Sequence, residues 1–168
     1  MKTLILLRHA KSDWDNGAAT DHERPLNKRG RASAPRIGQY LAGAGYSPDQ
    51  ILLSDAARTV ETWDRMAHHF PDAPPPTLHR DLYLAPPAAM LARASSATGK
   101  TVLMVGHNPG IGELAEALAA TAPPHPRFFD YPTCATTVFR FDTLQTWKDL
   151  PERLASGQVL DFITPRDL

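Results

Sequence analysis

The sequence predicts an α/β fold, a three-layer α/β/α sandwich built around a mostly parallel sheet. Three observations carry this. Residues 4–7 (LILL) and 101–105 (TVLMV) are short, continuously apolar runs, the pattern of strands buried on both faces. Segments with helical spacing of apolar residues lie between the strands, and such alternation builds a largely parallel sheet. No internal repeat and no long linker interrupts the 168 residues. One domain, residues 1–168, is therefore expected, burying roughly two thirds of its unfolded surface.

The first strand runs through Leu4, Ile5, Leu6 and Leu7 and ends on Arg8 and His9, with Lys11 and Ser12 just beyond. Residues 13–27 (DWDNGAATDHERPLN) are polar and rich in turn formers, hence a loop. Asn27 is the expected N-cap of a helix opened by KRGR, which presents Ile37, Tyr40 and Leu41 on one face and ends near Gly43 or Gly45. Pro35 inside that span is expected to kink or restart it. Gln50 to Leu53 form a second strand. Ser54 then caps a helix whose buried stripe is Ala56, Val60, Trp63 and Ala67.

A proline-rich loop (PDAPPP, 71–76) and the segment HRDLYLAPP lead to a short helix from about Pro87 to Ala94. The third strand, Thr101 to Val105, ends at Gly106 and His107. Asn108 reads as N-cap and Pro109 as the first residue of a helix whose Ile111, Leu114, Ala115 and Leu118 face the core. Cys134 to Phe141 is a β-branched and aromatic strand and Val159 to Ile163 another, with a short helix around Trp147 to Leu154 between them. This late pair is expected to place an antiparallel member at one edge of the sheet.

Composition excludes several functions. Lys plus Arg and Asp plus Glu number 18 each, which leaves no global basic field for nucleic acid. The single cysteine, Cys134, excludes an internal disulfide framework and fits a reducing compartment. Four consecutive aliphatics before Arg8 make neither a signal peptide nor a membrane span, so a cytoplasmic location without membrane contact is expected. His22, His79 and His125 lack ligand spacing, and His68 and His69 suit the dipole at a helix C-terminus, so no metal site is expected.

In open parallel sheets the ligand crevice lies outside the carboxyl ends of the strands. Arg-His at one strand end reads by itself as a solvated terminus. Here the chemistry recurs: the first strand delivers Arg8 and His9, the second Ser54 and then Arg58, the third His107. Arg58 lies in the first turn of its helix, where free backbone N–H groups already favour an anion. Together these make an electropositive pocket suited to a phosphoryl group, whose oxygens an arginine fork can grip two at a time. Ser12 and Asn108 are further candidates for substrate contact, against their simpler readings as turn residue and helix cap.

The chain has no GxxxxGK[ST] loop and no GxSxG elbow, and Cys134 is placed mid-strand, so P-loop, serine and cysteine chemistry are poorly supported. An imidazole at the first strand end can attack phosphorus in line, forming a phosphohistidine that water then hydrolyses. Surrounding cations would stabilise the equatorial oxygens and depress the imidazole pKa, keeping the nucleophile neutral.

LRHAKS, the S-x-x-x-R-x-x-x-T spacing of SDAARTVET, and VGHNPG resemble the histidine phosphatase superfamily with its phosphoglycerate mutase-like fold, and most of all its short SixA-type branch. DHERPLNKRG, YPTCATTVF and FITPRDL look like that branch too, so the resemblance covers nearly the whole chain. It implies His9 as nucleophile, Arg8, Arg58 and His107 as the phosphate pocket, and catalysis without metal or cofactor.

Two departures matter. Ala10 stands where larger members carry glycine, and HRDLYLA offers Asp81 and Tyr83 but no glutamate general acid. The proton donor is therefore open among Asp81, Tyr83, Asp21, Glu23 or none. A phosphoramidate P–N bond needs less acid assistance than an alkyl ester. The expected function is accordingly a metal-independent phosphatase acting on phosphohistidine of a partner protein. The alternatives are a small-molecule phosphomonoesterase, acting on a sugar phosphate or nucleotide, and a phospho-binding module without turnover. The intact His9 speaks against the last.

Overall fold

The computed structural model describes residues 1–18 and 20–168; of the loop read at 13–27, position 19 alone lies outside the described residues. A six-stranded sheet forms the middle layer: β1 (Lys2–Arg8), β2 (Gln50–Ser54), β3 (Thr77–His79), β4 (Thr101–Gly106), β5 (Thr136–Phe141) and β6 (Gln158–Ile163). Their spatial order is β3-β2-β4-β1-β5-β6. Four helices flank it: α1 (Lys28–Gly43), α2 (Ala57–Met66), α3 (Pro87–Ser95) and α4 (Gly110–Leu118).

β1 is internal, so its alternating residues feed two cores. Leu4 and Leu6 pack with Met90, Met104, Ile111, Leu114 and Leu118 beneath α3 and α4. Ile5 and Leu7 pack with Ile37, Leu41, Trp63 and Met66 beneath α1 and α2. All four β1 side chains are fully buried, each contributing roughly 1.5–3 kcal/mol of apolar burial. A strand sandwiched between two helical layers has no polar face, which is why LILL reads as an unbroken apolar run.

Several local expectations need correction. α1 is one continuous 16-residue helix through Pro35, capped by Asn27, whose Oδ1 accepts from Gly30 N at 2.9 Å. The carbonyl that Pro35 cannot engage belongs to Arg31, an exposed residue, so water can take that bond. Ser54 is not the cap of α2; Ala56 holds that position without a side-chain bond, and Ala67 lies beyond the helix in a 3₁₀ turn. α4 starts at Gly110 with Pro109 as its N-cap, one residue later than expected.

At the C-terminal side, the element between β5 and β6 is a 3₁₀ segment, Trp147–Glu152. Cys134 precedes β5 rather than lying within it, in a left-handed conformation (φ 63°), where its N–H donates to the carbonyls of Arg8 and His9. β3 is three residues at the sheet edge, two of them exposed, and carries no strand pattern in the sequence. The antiparallel member is β5, which is next to the edge, and β6 outside it runs parallel to β1. Among the described residues, no helix is long and apolar enough to cross a membrane.

Candidate active site

The site is assembled by strand register. β1 and β4 run parallel with Arg8 opposite Gly106, so His9 and His107 leave their strands side by side. His9 N donates to Gly106 O at 3.1 Å, and the two imidazole centroids stand 5.2 Å apart. β2 flanks β4 with Leu53 opposite Val105, which brings Ser54 level with Gly106 and so beside His107. Ser54 Oγ and His107 Nε2 are 2.8 Å apart. α2, starting three residues later, contributes Arg58. The three predicted strand ends therefore meet, in a pocket of about 270 Å³ lined by Arg8, His9, Arg58 and His107.

His9 is 6% exposed, and its Nδ1 lies 2.7 Å from the carbonyl of its neighbour Ala10. A carbonyl can only accept, so Nδ1 carries the proton and Nε2 keeps its lone pair. Thr62 fixes this arrangement: its Oγ1 accepts from Ala10 N at 3.0 Å and donates to Arg58 O at 2.7 Å. Burial lowers the His9 pKa well below its ordinary 6.5, and the charges of Arg58 and Arg8 push the same way, with only the Ala10 carbonyl opposing. The imidazole is neutral at pH 7.

His107 is also neutral, its pKa pushed down to about 3 by burial first and then by Arg58. Ser54 Oγ already accepts from Ala56 N, so its one hydrogen is available for His107 Nε2. When the serine donates, Nδ1 of His107 carries the ring proton; Nδ1 has no partner among the described residues. Arg8, at the end of β1, donates through NH1 to Tyr131 O at 3.0 Å, leaving its buried Nε unpaired. Arg58 is 2% exposed and its Nε is likewise unpaired.

The loop before α1, whose Asp21, Glu23 and Arg24 the sequence offers as substrate contacts or proton donors, supplies a counter-ion instead. Asp21 accepts from Arg58 NH2 at 3.0 Å, from Arg24 NH2 at 2.9 Å and from the Tyr83 hydroxyl. Burial works to raise the Asp21 pKa, but the hydrogen bonds from Tyr83 and Arg24 and the charge of Arg58 outweigh it and hold the carboxyl well below the usual range. Asp21 is thus an ionised counter-ion in the free protein. The other two carboxylates lie elsewhere: Asp81 pairs with Arg93, and Glu23 bonds Thr20. Charged residues clustered in DHER were the only sequence signal for this part of the site.

Ser12 lines the pocket, buried, with Oγ accepting from Arg24 NH1. Asn108 lines it as well, but its polar atoms are committed: Nδ2 donates to Asp130 O and Tyr131 O, and Oδ1 accepts from Gly112 N. Asn108 therefore ties α4 to the loop before β5. The Cys134 thiol is fully buried and its pKa is pushed up to about 12, which removes it from nucleophilic chemistry. No group of three or more His, Cys, Asp and Glu side chains among the described residues is arranged to hold a metal ion.

The profile of the histidine phosphatase superfamily (branch 1) matches residues 4–83. An uncharacterised chloroplastic protein of Arabidopsis thaliana is 35% identical over 132 residues, spanning 72% of this chain and 61% of that protein. An uncharacterised protein of Mycobacterium tuberculosis is 37% identical over 116 residues, covering 68% of this chain and 70% of its own length. Among solved structures, a protein of Agrobacterium tumefaciens assigned as the phosphohistidine phosphatase SixA superposes with a TM-score of 0.77 over 98% of both chains, at 26% identity. The chain belongs to the histidine phosphatase superfamily and to its short, SixA-type branch.

Proposed function

We propose that this member of the histidine phosphatase superfamily hydrolyses phosphohistidine on a partner protein, with His9 as the nucleophile. The observation that carries the reading is the tautomer lock on His9: Nδ1–H is bound to Ala10 O, and Nε2 is left unprotonated beside Arg8, Arg58 and His107. Nε2 attacks phosphorus, the substrate P–N bond breaks, and the phosphoryl group becomes attached to His9. Arg8 and Arg58, with His107 beside them, stabilise charge on the equatorial oxygens. Water then attacks phospho-His9, releasing phosphate and restoring Nε2.

The leaving imidazole needs one proton. Asp21 is ionised and does not supply it, and Asp81 and Glu23 are paired outside the pocket. Solvent water fills that role at an open site, which a phosphoramidate tolerates better than an alkyl ester does. The pocket rim also favours a protein substrate: Trp14 and Leu84 line it and are 72% and 56% exposed, an apolar lip for a macromolecular partner.

The test is phosphate release from a phosphohistidyl protein and from p-nitrophenyl phosphate, without added metal, with His9→Ala as the blank. The reading expects His9-dependent release with strong preference for the protein. Preference for the small ester would move the assignment to a small-molecule phosphomonoesterase. Binding of the phosphohistidyl protein without release would make it a binding module.

A further inference from the structure

We infer that the substrate carries a second anionic group, a carboxylate or another phosphoryl group, held in a basic cleft beside the reaction pocket. The inference rests on the phosphatase reading above and adds a specificity determinant to it. The cleft has a volume of about 370 Å³ against about 270 Å³ for the reaction pocket, and the two share Arg8, Lys11 and Thr133 in their walls. A molecule bound through its phosphoryl group at Arg8 therefore has the cleft as its immediate neighbour.

Three segments far apart in sequence bring cations to this cleft. Arg29 comes from the first turn of α1, Arg127 from the loop ahead of β5, and Arg166 from the turn that follows β6. Lys11, just past β1, is the fourth. Asp130 is the one carboxylate in the lining, and Arg127 already holds it at 2.9 Å. Arg29, Arg166 and Lys11 are exposed, and their side chains form no ion pair or hydrogen bond among the described residues.

The chain as a whole is formally neutral, so this is a local concentration of charge. The contrast with the reaction pocket is instructive. There Asp21 pairs with Arg24 and Arg58, whereas Lys11, Arg29 and Arg166 in the cleft have no counter-ion among the described residues. Unbalanced cations around a concave surface repel one another, and an anion entering the cleft relieves that repulsion while gaining charge-assisted hydrogen bonds. Ser33 and Thr133 add hydroxyl groups to the lining.

The test uses the double variant Arg29→Gln/Arg166→Gln, which leaves the reaction pocket intact. Hydrolysis is compared on a phosphohistidyl peptide flanked by Asp and Glu, the same peptide flanked by Ser and Gly, 1,4-butanediol bisphosphate and p-nitrophenyl phosphate. The expected loss is about ten-fold, through KM with kcat unchanged, the size of one hydrogen bond to a charged group. It should fall on the acidic peptide or on the bisphosphate, and p-nitrophenyl phosphate should stay within two-fold. Loss on the peptide makes the second anion a flanking carboxylate; loss on the bisphosphate makes it a second phosphoryl group.

Equal loss on all substrates, or none on any, overturns the inference. Calorimetric titration of the two peptides into His9→Ala protein, with and without the arginine changes, reads the cleft independently of turnover. A charge-dependent affinity difference without hydrolysis by the wild type would keep the cleft assignment and reject the enzymatic one.

Discussion

Asp21 holds the Arg58 guanidinium at two points: its backbone carbonyl accepts from NH1 at 2.8 Å and its carboxylate from NH2 at 3.0 Å. Both terminal nitrogens of the arginine expected to grip the phosphoryl group are thus engaged by the protein's own anion. A phosphoryl oxygen can take one of the remaining guanidinium N–H groups, but it shares the Arg58 charge with that carboxylate and is repelled by it. Asp21→Asn keeps the shape and removes the charge. The expected outcome is a fall of about two- to five-fold in the inhibition constant for inorganic phosphate, the range of a partly exposed ion pair. The change in kcat should be small, because an ionised Asp21 donates no proton. A drop in kcat of about 10²-fold or more would instead identify Asp21 as the general acid.

The two imidazoles set the pH behaviour. His9 is held well below 6.5 and His107 near 3, burial being the first cause in each case. His107 stays neutral as pH falls from 8 to 5, so its ring-proton NMR shifts should stay at neutral-imidazole values, and the lowered His9 pKa means that kcat should persist below the pH at which a free imidazole would lose its lone pair. Stability moves the other way. Below about pH 6.5 the unfolded chain binds protons at these residues that the folded chain refuses, so unfolding becomes easier as pH falls towards 3. Asp21, whose folded pKa is lowered, contributes stability that is lost only once pH falls below its unfolded value near 3.8. A urea midpoint that declines between pH 7 and pH 5 is the expected measurement. His9→Ala should flatten part of that decline.

Thr62 joins the nucleophile to the phosphate grip, since one hydroxyl serves Ala10 N and Arg58 O. Thr62→Val keeps the volume but leaves the buried Ala10 N–H without an acceptor. The expected cost is about 1–3 kcal/mol. At about 2–4 °C per kcal/mol for a chain of this size, that is a readily measured fall in Tm. Losing the anchor of the Ala10 peptide also frees the His9 ring, so kcat should fall in variant protein that remains fully folded at 20 °C. Unchanged kcat would separate Thr62 from the tautomer lock.

What the sequence made legible follows from burial. β1 and β4 are covered on both faces, so Leu4–Leu7 and Val102–Val105 stand out as apolar runs, and the residues that follow them, Arg8, His9 and His107, were found with them. Contacts made between segments left no such trace. Ser54 sits where a helix cap would, yet its partner is His107, 53 residues on. Asp21 and Tyr83 are 62 residues apart and meet only because the loop folds over the pocket. Cys134 belongs by composition to β5, but the carbonyls of Arg8 and His9 claim its N–H and turn the chain there. The cleft cations come from four separate segments, and no local pattern announces them.

Trp14 offers a direct test of whether the pocket faces a protein. It is 72% exposed, yet it is held in place: the Arg24 guanidinium carbon lies 3.6 Å from its ring centroid, and Arg24 is anchored in turn to Asp21 and Ser12. An exposed indole fixed beside a reactive pocket has the character of an interface anchor, a role in which truncation commonly costs about 1–2 kcal/mol or more. Trp14→Ala should raise KM for a phosphohistidyl protein by about 5- to 30-fold and leave kcat unchanged. A merely structural role predicts something else. Losing the cation–π contact costs about 0.5–1 kcal/mol and would loosen Arg24, and with it Asp21 and Arg58, so p-nitrophenyl phosphate turnover would fall in parallel. A KM effect confined to the protein substrate therefore assigns Trp14 to recognition, and parallel loss on both substrates assigns it to holding the loop.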